Sequence, residues 1–414
     1  MLAGLAIWRF VAHSTEITVG DGKQYHRIED AIAAASPGDT VFVYPSKSGY
    51  RKTAVLVDKP GLKIIGKGTE PIKIDGSAFE YSGAGSIPRA IFQIGPGGDD
   101  VVIQGFELLG AHNSSHNGAG VRINQAKRVE VRNCDIHSND MGVMSNGNGQ
   151  DNDSASGQLY DHCHIHENGS SEDPGFNHNL YLGGTDATIQ FCEVDHSLTG
   201  HNIKSRAHFT VVQYSYVHDS ANREFDFVDA WDTARAGSDA ILIGNVIVKD
   251  PQCPGNRVVI HFGKEKETRN GNLIMANNTV VTPFASPVAL VSDEHAIVIL
   301  QNNIIANSEQ SAPALVTFTT EGTGVRLLGE SNWLSSCYSG SELLFKPGTR
   351  YSGASRKDGP GFQGRDFNVP RQLPAWVPSA LHLPQVHGLG DKPSARYVGH
   401  GAWTPSTARF IGAG

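Results

Sequence analysis

The chain has 414 residues, 39% of them hydrophobic, and a formal net charge of −8, so it can bury a sizeable core. The acidic balance argues against nucleic acid as the main partner, because nucleic-acid binders show a basic patch or stripe. No apolar run approaches the roughly 18 to 20 residues that a membrane-spanning helix needs. The 47 glycines favour many short strands joined by tight turns.

Residues 1–50 are predicted to form an N-terminal strand and a capping helix. The opening MLAGLAIWRFVAHS is mildly apolar and lacks a basic start, so we interpret it as a strand, a capping segment or the remnant of a trimmed export signal. In IEDAIAAA, apolar side chains share one helical face that ends before Pro37 and Gly38. Such a helix can cover the open end of a sheet, which otherwise exposes unpaired backbone groups.

From about residue 120 an alternating apolar strand followed by a short polar turn recurs along the chain. Aligning these segments puts the following residues in one column: Cys134, Cys163, Cys192, Ser215, Asn245, Asn278 and Asn303. Because no helix intervenes, we predict a parallel β-helix over residues 51–344, with coils about 4.8 Å apart. The three cysteines would then be buried free thiols. A metal or disulfide cluster is the alternative, which the parallel direction of ladder side chains disfavours.

Residues 345–414 are rich in Pro and Gly, which predicts an extended tail packed on the solenoid. The opening DGKQYHRIEDAIAAASPGDTVFVYP, the coil repeat and the tail phrase DGPGFQGRDFNV resemble the right-handed parallel β-helix proteins of the pectate-lyase-like superfamily. The resemblance covers most of the chain and implies an all-β, single-domain right-handed parallel β-helix. That superfamily holds lyases, hydrolases, epimerases and phage tailspikes, so the fold does not fix the function.

Superposing coils through the ladder column aligns NHNLYLGG with GHNIKSRA, with Leu180 and Ile203 pointing inward. Alternate strand residues face opposite sides, so the residues directly before and after Leu180 and Ile203 are expected to face solvent. Asn179 and Asn202 are the residues before them. Extending the alignment by two coils gives an outward row with neighbours about 5 Å apart. The row consists of Tyr181, Lys204, Asp226 and His261, flanked by His178, His201, Arg206 and Arg223. The alternative is a solvated face whose Lys–Asp pairs contribute roughly 0 to 1 kcal/mol.

This row suits β-elimination on a uronic-acid polysaccharide. The proton at C5 becomes removable when the adjacent carboxylate is neutralised, and the reaction then needs a base and an acid. The candidate catalytic residues are Lys204, Arg206, Tyr181, His201 and His178. The candidate substrate-binding residues are Asn179, Asn202, Arg223, His261 and Trp231.

The resemblance adds an expectation about the catalytic base and its metal. β-Helix lyases of this superfamily typically use Lys or Arg as base, often with Ca²⁺. Their K-S-x-N-like phrase is similar to the sequence from Lys204 to Ala207, although the Asn is missing here. Hard oxygen ligands for calcium are available within nine residues, at Glu224, Asp226, Asp229 and Asp232. These acids could instead balance Arg223 and Arg235.

A second cluster lies in DHCHIHE, which places His162, His164 and His166 on one strand face. Histidines at this spacing can chelate zinc or another transition metal, or simply form a surface strand. The sequence as a whole predicts a secreted or periplasmic lyase acting on an anionic polysaccharide. A non-catalytic glycan-binding or tailspike-like solenoid, a uronate C5-epimerase and a glycoside hydrolase are the alternatives, although the NTD phrase of the hydrolases and the DPHD phrase of the epimerases are absent.

Overall fold

The computed structural model describes residues 15–83, 85–150, 153–293, 295–301, 303–307, 313–319, 326–330, 332–335, 338, 350–353, 395–397 and 403–405. These residues form three parallel sheets, one α-helix at Ile28–Ala34 and one 3-10 turn at Trp231–Thr233. The fold is a right-handed parallel β-helix, as the resemblance implied. Within the described ranges, no helix combines the length and apolarity that a membrane crossing requires.

The three sheets are named A, B and C. Sheet A contains Glu16–Val19, Thr40–Val43, Lys63–Gly66, Val102–Gln104, Glu130–Arg132, Gln158–Asp161, Asp186–Gln190, Phe209–Gln213, Ala240–Ile243, Leu273–Ala276, Ile297–Gln301 and Arg326–Glu330. Sheet B contains Tyr50–Arg51, Ile72–Asp75, Phe106–Leu109, Asp135–His137, His164–His166, Glu193–Asp195, Tyr216–His218, Val246–Val248, Thr279–Thr282, Ile304–Asn307, Asn332–Ser335 and Arg350–Gly353. Sheet C contains Val55–Val57, Ala90–Ile94, Ala119–Asn124, Met141–Asn146, Leu180–Leu182, Ile203–Ser205, Phe225–Val228, Ile260–Gly263, Ala289–Val291 and Val316–Phe318. A separate antiparallel pair joins Ala395–Tyr397 to Trp403–Pro405.

From residue 40 to residue 335 the chain visits sheets A, B and C in turn, and each strand pairs with its counterparts one coil away. The inward side chains of each sheet therefore stack in columns. In sheet B, for example, Ile136, Ile165 and Val194 share one register and are fully buried. Their chain neighbours point away from the core, because alternate strand residues face opposite sides.

The turn from sheet A to sheet B carries the predicted ladder. A residue with left-handed φ, such as His162 (55°) or Phe191 (53°), bends the chain so that the next side chain points inward. The predicted column is confirmed, since Cys134, Cys163, Cys192, Ser215, Asn245, Asn278 and Asn303 are all buried. Asn245 Nδ2 donates to Asn278 Oδ1 at 2.9 Å, and Asn332 extends the same chain of amides. The three ladder cysteines are free thiols.

The predicted helix is also present and packs on the first strands. Ile28, Ala31 and Ile32 are buried in the helix Ile28–Ala34, which contacts Val55–Val57 and the first two strands of sheet A. Burying this apolar face covers the end of the core. Most of the predicted tail, residues 345–414, lies outside the described residues.

Candidate active site

The predicted outward row is present on sheet C. Strand pairing aligns Leu180, Ile203, Phe225 and Ile260 as the inward column. The next position aligns the outward row, Tyr181, Lys204, Asp226 and His261. The row is less open than predicted, because the side chains of Lys204 and Asp226 are only 8% and 2% exposed. Charges held this far from water need partners close by.

Asp226 lies at the centre of a set of four donors. Its Oδ2 contacts Lys204 Nζ at 2.7 Å and His201 Nε2 at 3.3 Å. Its Oδ1 contacts His261 Nδ1 at 2.8 Å and Arg223 Nη1 at 3.1 Å. Burial alone would raise the pKa of Asp226, but His201, His261 and Lys204 hold that pKa well below its usual range. The carboxylate is therefore ionised and fixes the orientation of the donors around it.

His178 and His201 stack with ring centroids 5.0 Å apart and planes 9° apart. The backbone N–H of His201 donates to His178 Nδ1 at 3.0 Å, and that of Arg223 donates to His201 Nδ1 at 3.1 Å. Burial lowers the pKa of His201 to about 3 and that of His178 well below its usual range. Both rings are therefore neutral near pH 7, with the proton on Nε2.

Lys204 and Arg206 together bind a carboxylate, that of Glu265. Lys204 Nζ lies 3.1 Å from Glu265 Oε1, and Arg206 Nη2 contacts Glu265 Oε2. Arg206 also donates from Nε to Tyr181 Oη at 2.9 Å and from Nη1 to the carbonyl of Asp229. Burial raises the pKa of Glu265, but Lys204 and Arg206 outweigh it and lower that pKa overall. We call Lys204 Nζ and the Arg206 guanidinium the carboxylate cradle.

The loop that brings Glu265 to the cradle, residues 264–268, is anchored by Asp229. The Asp229 carboxylate accepts the backbone N–H of Glu265, of Lys266 at 3.0 Å and of Glu267 at 2.8 Å. Below the loop, the fully buried Arg269 donates to the carbonyls of Ser205, Val228, Ser238 and Ala207. These contacts tie the loop to the ends of the strands that carry Lys204 and Asp226.

The prediction that Asn179 and Asn202 face solvent is wrong. Both are fully buried and continue a second ladder, in which Asn179 Nδ2 donates to Asn202 Oδ1 at 2.9 Å. Asn202 Nδ2 in turn donates to Glu224 Oε2 at 2.6 Å. A side-chain amide can be buried when the next coil supplies its hydrogen-bond partner. These residues therefore hold the coils together and do not reach a ligand.

The four predicted calcium ligands do not fit a calcium site. Glu224 is fully buried beside Lys249 Nζ at 3.3 Å, and burial raises its pKa. Asp226 is already surrounded by donors, and the carboxylate of Asp229 is occupied by three backbone N–H groups. Asp232 Oδ2 lies close to Gly147, which follows the sheet C strand Met141–Asn146. Glu224, Asp226 and Asp229 are engaged by different partners, and Lys204 and Arg223 would repel a cation at Asp226.

The remaining predicted substrate-binding residues are Arg223, His261 and Trp231. Arg223 binds Asp226, and His261 Nε2 contacts Ser292 Oγ at 2.8 Å. Trp231 is 72% exposed and lies two residues after Asp229, whose carbonyl binds Arg206. Exposed indole rings are suitable platforms for sugar stacking.

Sequence reasoning missed Glu265, Arg269 and Ser292. Glu265 and Arg269 lie in a loop without strand periodicity, and their contacts reach back 31 to 64 residues along the chain. The dense charge of FGKEKE was the only sequence signal for this loop.

No protein-family model matches this sequence, and no curated protein matches it. A solved alginate lyase from Paenibacillus sp. str. FPU-7 is similar over 82% of this chain and 98% of its own, at 16% identity and a TM-score of 0.45. A pectate lyase is similar over 97% and 96%, at 11% identity and a TM-score of 0.49. A DFA-IIIase from Arthrobacter chlorophenolicus A6 is similar over 77% and 89%, at 12% identity and a TM-score of 0.43. The β-helix assignment rests on the three parallel sheets themselves.

Proposed function

We propose that this protein is a polysaccharide lyase that cleaves a uronic-acid polysaccharide by β-elimination at the outward row of sheet C. The observation that carries the proposal is the carboxylate cradle. Lys204 and Arg206 already hold one carboxylate, from Glu265 on an exposed loop. A uronate carboxylate that replaced Glu265 would meet the same two cations. That contact would stabilise the enolate-like charge that develops when the C5 proton leaves.

Tyr181 is the candidate base in this arrangement. The carbon that loses its proton is bonded to the substrate carboxyl carbon, so the base must lie beside the group that binds the carboxylate. Tyr181 Oη lies 2.9 Å from Arg206 Nε, next to the cradle. The guanidinium would compensate the negative charge of a phenolate at that position. The electron pair of the C5–H bond then forms the C4–C5 double bond as the bond to the leaving oxygen breaks.

Lys204 is better placed as a cation than as the base that the sequence suggested. Its Nζ lies within 3.1 Å of two carboxylates, those of Asp226 and Glu265. As an ammonium ion it can neutralise the substrate carboxylate or donate a proton to the leaving oxygen.

His201 has neither a free lone pair nor a free proton, because Nδ1 accepts a backbone N–H and Nε2 faces Asp226. We therefore assign His201 and Asp226 a positioning role. His178 can offer only its Nε2 proton, since its Nδ1 is likewise occupied.

The test is the ultraviolet absorbance of the unsaturated uronate product. The substrates are pectate, alginate, hyaluronan, chondroitin, heparin-type polymers and glucuronan, each with Ca²⁺ and with EDTA. We expect a rising signal on one substrate, and a loss of kcat of about 10²- to 10⁴-fold in Tyr181→Phe with substrate binding retained. Lys204→Ala, in contrast, should weaken both binding and turnover.

Other outcomes would refute the lyase. New reducing ends without absorbance would indicate a glycoside hydrolase. Exchange of the C5 proton with solvent deuterium without cleavage would indicate a C5-epimerase. Binding without any reaction would indicate a glycan-binding solenoid, for which the exposed Trp231 is a plausible platform. Because polymers of this kind lie outside the cytoplasm, the proposal includes a secreted or periplasmic location.

A further inference from the structure

A second cluster of side chains lies on the outer face of sheet B and takes no part in the proposed reaction. The strands Asp135–His137, His164–His166, Glu193–Asp195 and Tyr216–His218 are adjacent and in register. Their outward positions form two columns rich in histidines and carboxylates, Asp135, His164, Glu193 and Tyr216 in one and His137, His166, Asp195 and His218 in the other. The cluster around Asp195 consists of His164, Glu193, Asp195, His196 and His218.

Two ligand sets in this cluster share the Asp195 carboxylate. In the first, Asp195, His196 and His218 bring one ligand atom each to within 4.8 Å of one another. In the second, His164, Glu193 and Asp195 do the same. His196 Nδ1 contacts Asp195 Oδ2, His164 Nε2 lies 2.7 Å from Asp195 Oδ1, and His218 Nε2 lies 3.3 Å from Glu193 Oε1. A tetrahedral zinc ion with bonds of about 2.0 to 2.1 Å needs ligand atoms about 3.3 Å apart, so only small side-chain shifts would admit one.

The residues around His218 are arranged like those around a metal-binding histidine. His218 Nδ1 contacts Asp219 Oδ2 at 2.9 Å, which leaves Nε2 directed at Glu193 and Asp195. A carboxylate behind the distal nitrogen fixes the ring orientation and tautomer of metal-binding histidines. Access is open as well, since the side chains of His164 and His196 are 41% and 54% exposed while that of Asp195 is 9% exposed. An incoming ion would thus meet exposed imidazoles in front of a buried carboxylate.

We propose that this cluster binds a divalent transition-metal ion of the zinc class, with Asp195 as the shared ligand and His164, His196, His218 and Glu193 around it. Imidazole and carboxylate ligands suit such ions better than Ca²⁺ or Mg²⁺, which prefer oxygen alone. An ion in either ligand set would join two successive coils of sheet B, and the shared Asp195 carboxylate links the two sets. The inference is independent of the proposed lyase activity, because sheet B and the outward row of sheet C are separate faces. The competing explanation is a set of His–carboxylate ion pairs without a metal.

The test is metal binding to the full chain after removal of metals with EDTA and dialysis. Zn²⁺ is titrated by calorimetry, and Co²⁺ by its visible d–d absorption, which reports the coordination number. We expect at least one Zn²⁺ per chain, a Co²⁺ spectrum of a four- or five-coordinate site, and no competition by Ca²⁺. Asp195→Asn, which preserves the side-chain shape, should weaken Zn²⁺ binding by at least about tenfold.

His196→Asn is the second variant, because Asn tolerates the left-handed backbone at this position (φ 47°) and the side chain is exposed. It should also weaken Zn²⁺ binding and keeps the test decisive if Asp195→Asn does not fold. The exposed His26 lies outside the cluster, so His26→Asn is the matched control and should bind Zn²⁺ like the unsubstituted protein. Unsubstituted protein that binds no Zn²⁺, or cluster variants that bind it as tightly as the control, would overturn the proposal in favour of ion pairs alone.

Discussion

Glu265 occupies the position that we assign to the substrate carboxylate, so its removal should tighten substrate binding. A hydrogen bond to a charged group contributes about 1.5 to 3 kcal/mol when buried. Glu265 makes two such contacts, but its side chain is 38% exposed, so solvent screening reduces their value. We take about 1 to 2 kcal/mol for the pair of contacts. Because 1.4 kcal/mol is tenfold, Glu265→Ala should lower KM about 5- to 30-fold.

The substitution should leave the loop in place, because Asp229 anchors it through backbone N–H groups and not through the Glu265 side chain. The assay is steady-state absorbance with the uronate polymer that the substrate panel identifies, at low and high salt. Glu267→Ala is the matched control, since it removes the same charge from the same exposed loop but not from the cradle. An unchanged or higher KM in Glu265→Ala, or an equal fall in both variants, would refute the idea that Glu265 holds the place of substrate.

Three further predictions concern the scaffold around the row. Asn202→Ala should lower the thermal unfolding midpoint, because it removes one of the two acceptors of Asn179 Nδ2 and leaves Glu224 Oε2 without its amide donor, at about 1 to 3 kcal/mol for the buried carboxylate oxygen. His201 is held neutral by a folded-state pKa of about 3, below the unfolded value of about 6.5, so its stabilising contribution is complete above pH 6.5 and is lost as the pH falls towards 3. The midpoint should therefore fall between pH 7 and pH 5, and fall less in His201→Gln; an equal fall in both proteins would contradict this assignment. Asp229→Asn should speed hydrogen exchange of the backbone N–H groups of residues 265–267, whereas unchanged protection would show that Asp229 does not anchor the loop.

Much of the architecture can be predicted from the sequence, because every coil of a β-helix repeats the same pattern of strands and turns. The ladder from Cys134 to Asn303 and the register of Leu180, Ile203, Phe225 and Ile260 follow from strand alternation and one aligned column. Both rest on short-range periodicity, and both were predicted correctly.

The errors have a common physical origin. Strand alternation about Leu180 and Ile203 assigned Asn179 and Asn202 to the solvent, yet both lie just before their strands. Polar side chains can lie inside there when a partner recurs at every coil. The acids from Glu224 to Asp232 looked like one calcium site because they are close in sequence. In three dimensions each meets a different partner, such as Lys249 for Glu224. Glu265 could not be found by periodicity, because a loop fixes its position through long-range contacts.

In the β-helix, the alignment of ladder residues between coils is constant, whereas the number of residues in each coil varies. Successive members of the first ladder lie 29, 23, 30, 33 and 25 residues apart from Cys163 onward, yet each still meets its neighbour. The extra residues are absorbed partly in the connections from sheet C to sheet A, which comprise 206–208, 229–239 and 264–272 around the candidate site. Strand register depends on the pairing of successive coils, so connections of different length are compatible with the same alignment of Tyr181 and Lys204. Substrate preference could thus be re-engineered through the exposed residues of these connections, provided that Arg206, Asp229 and Arg269 keep their contacts with the strand ends.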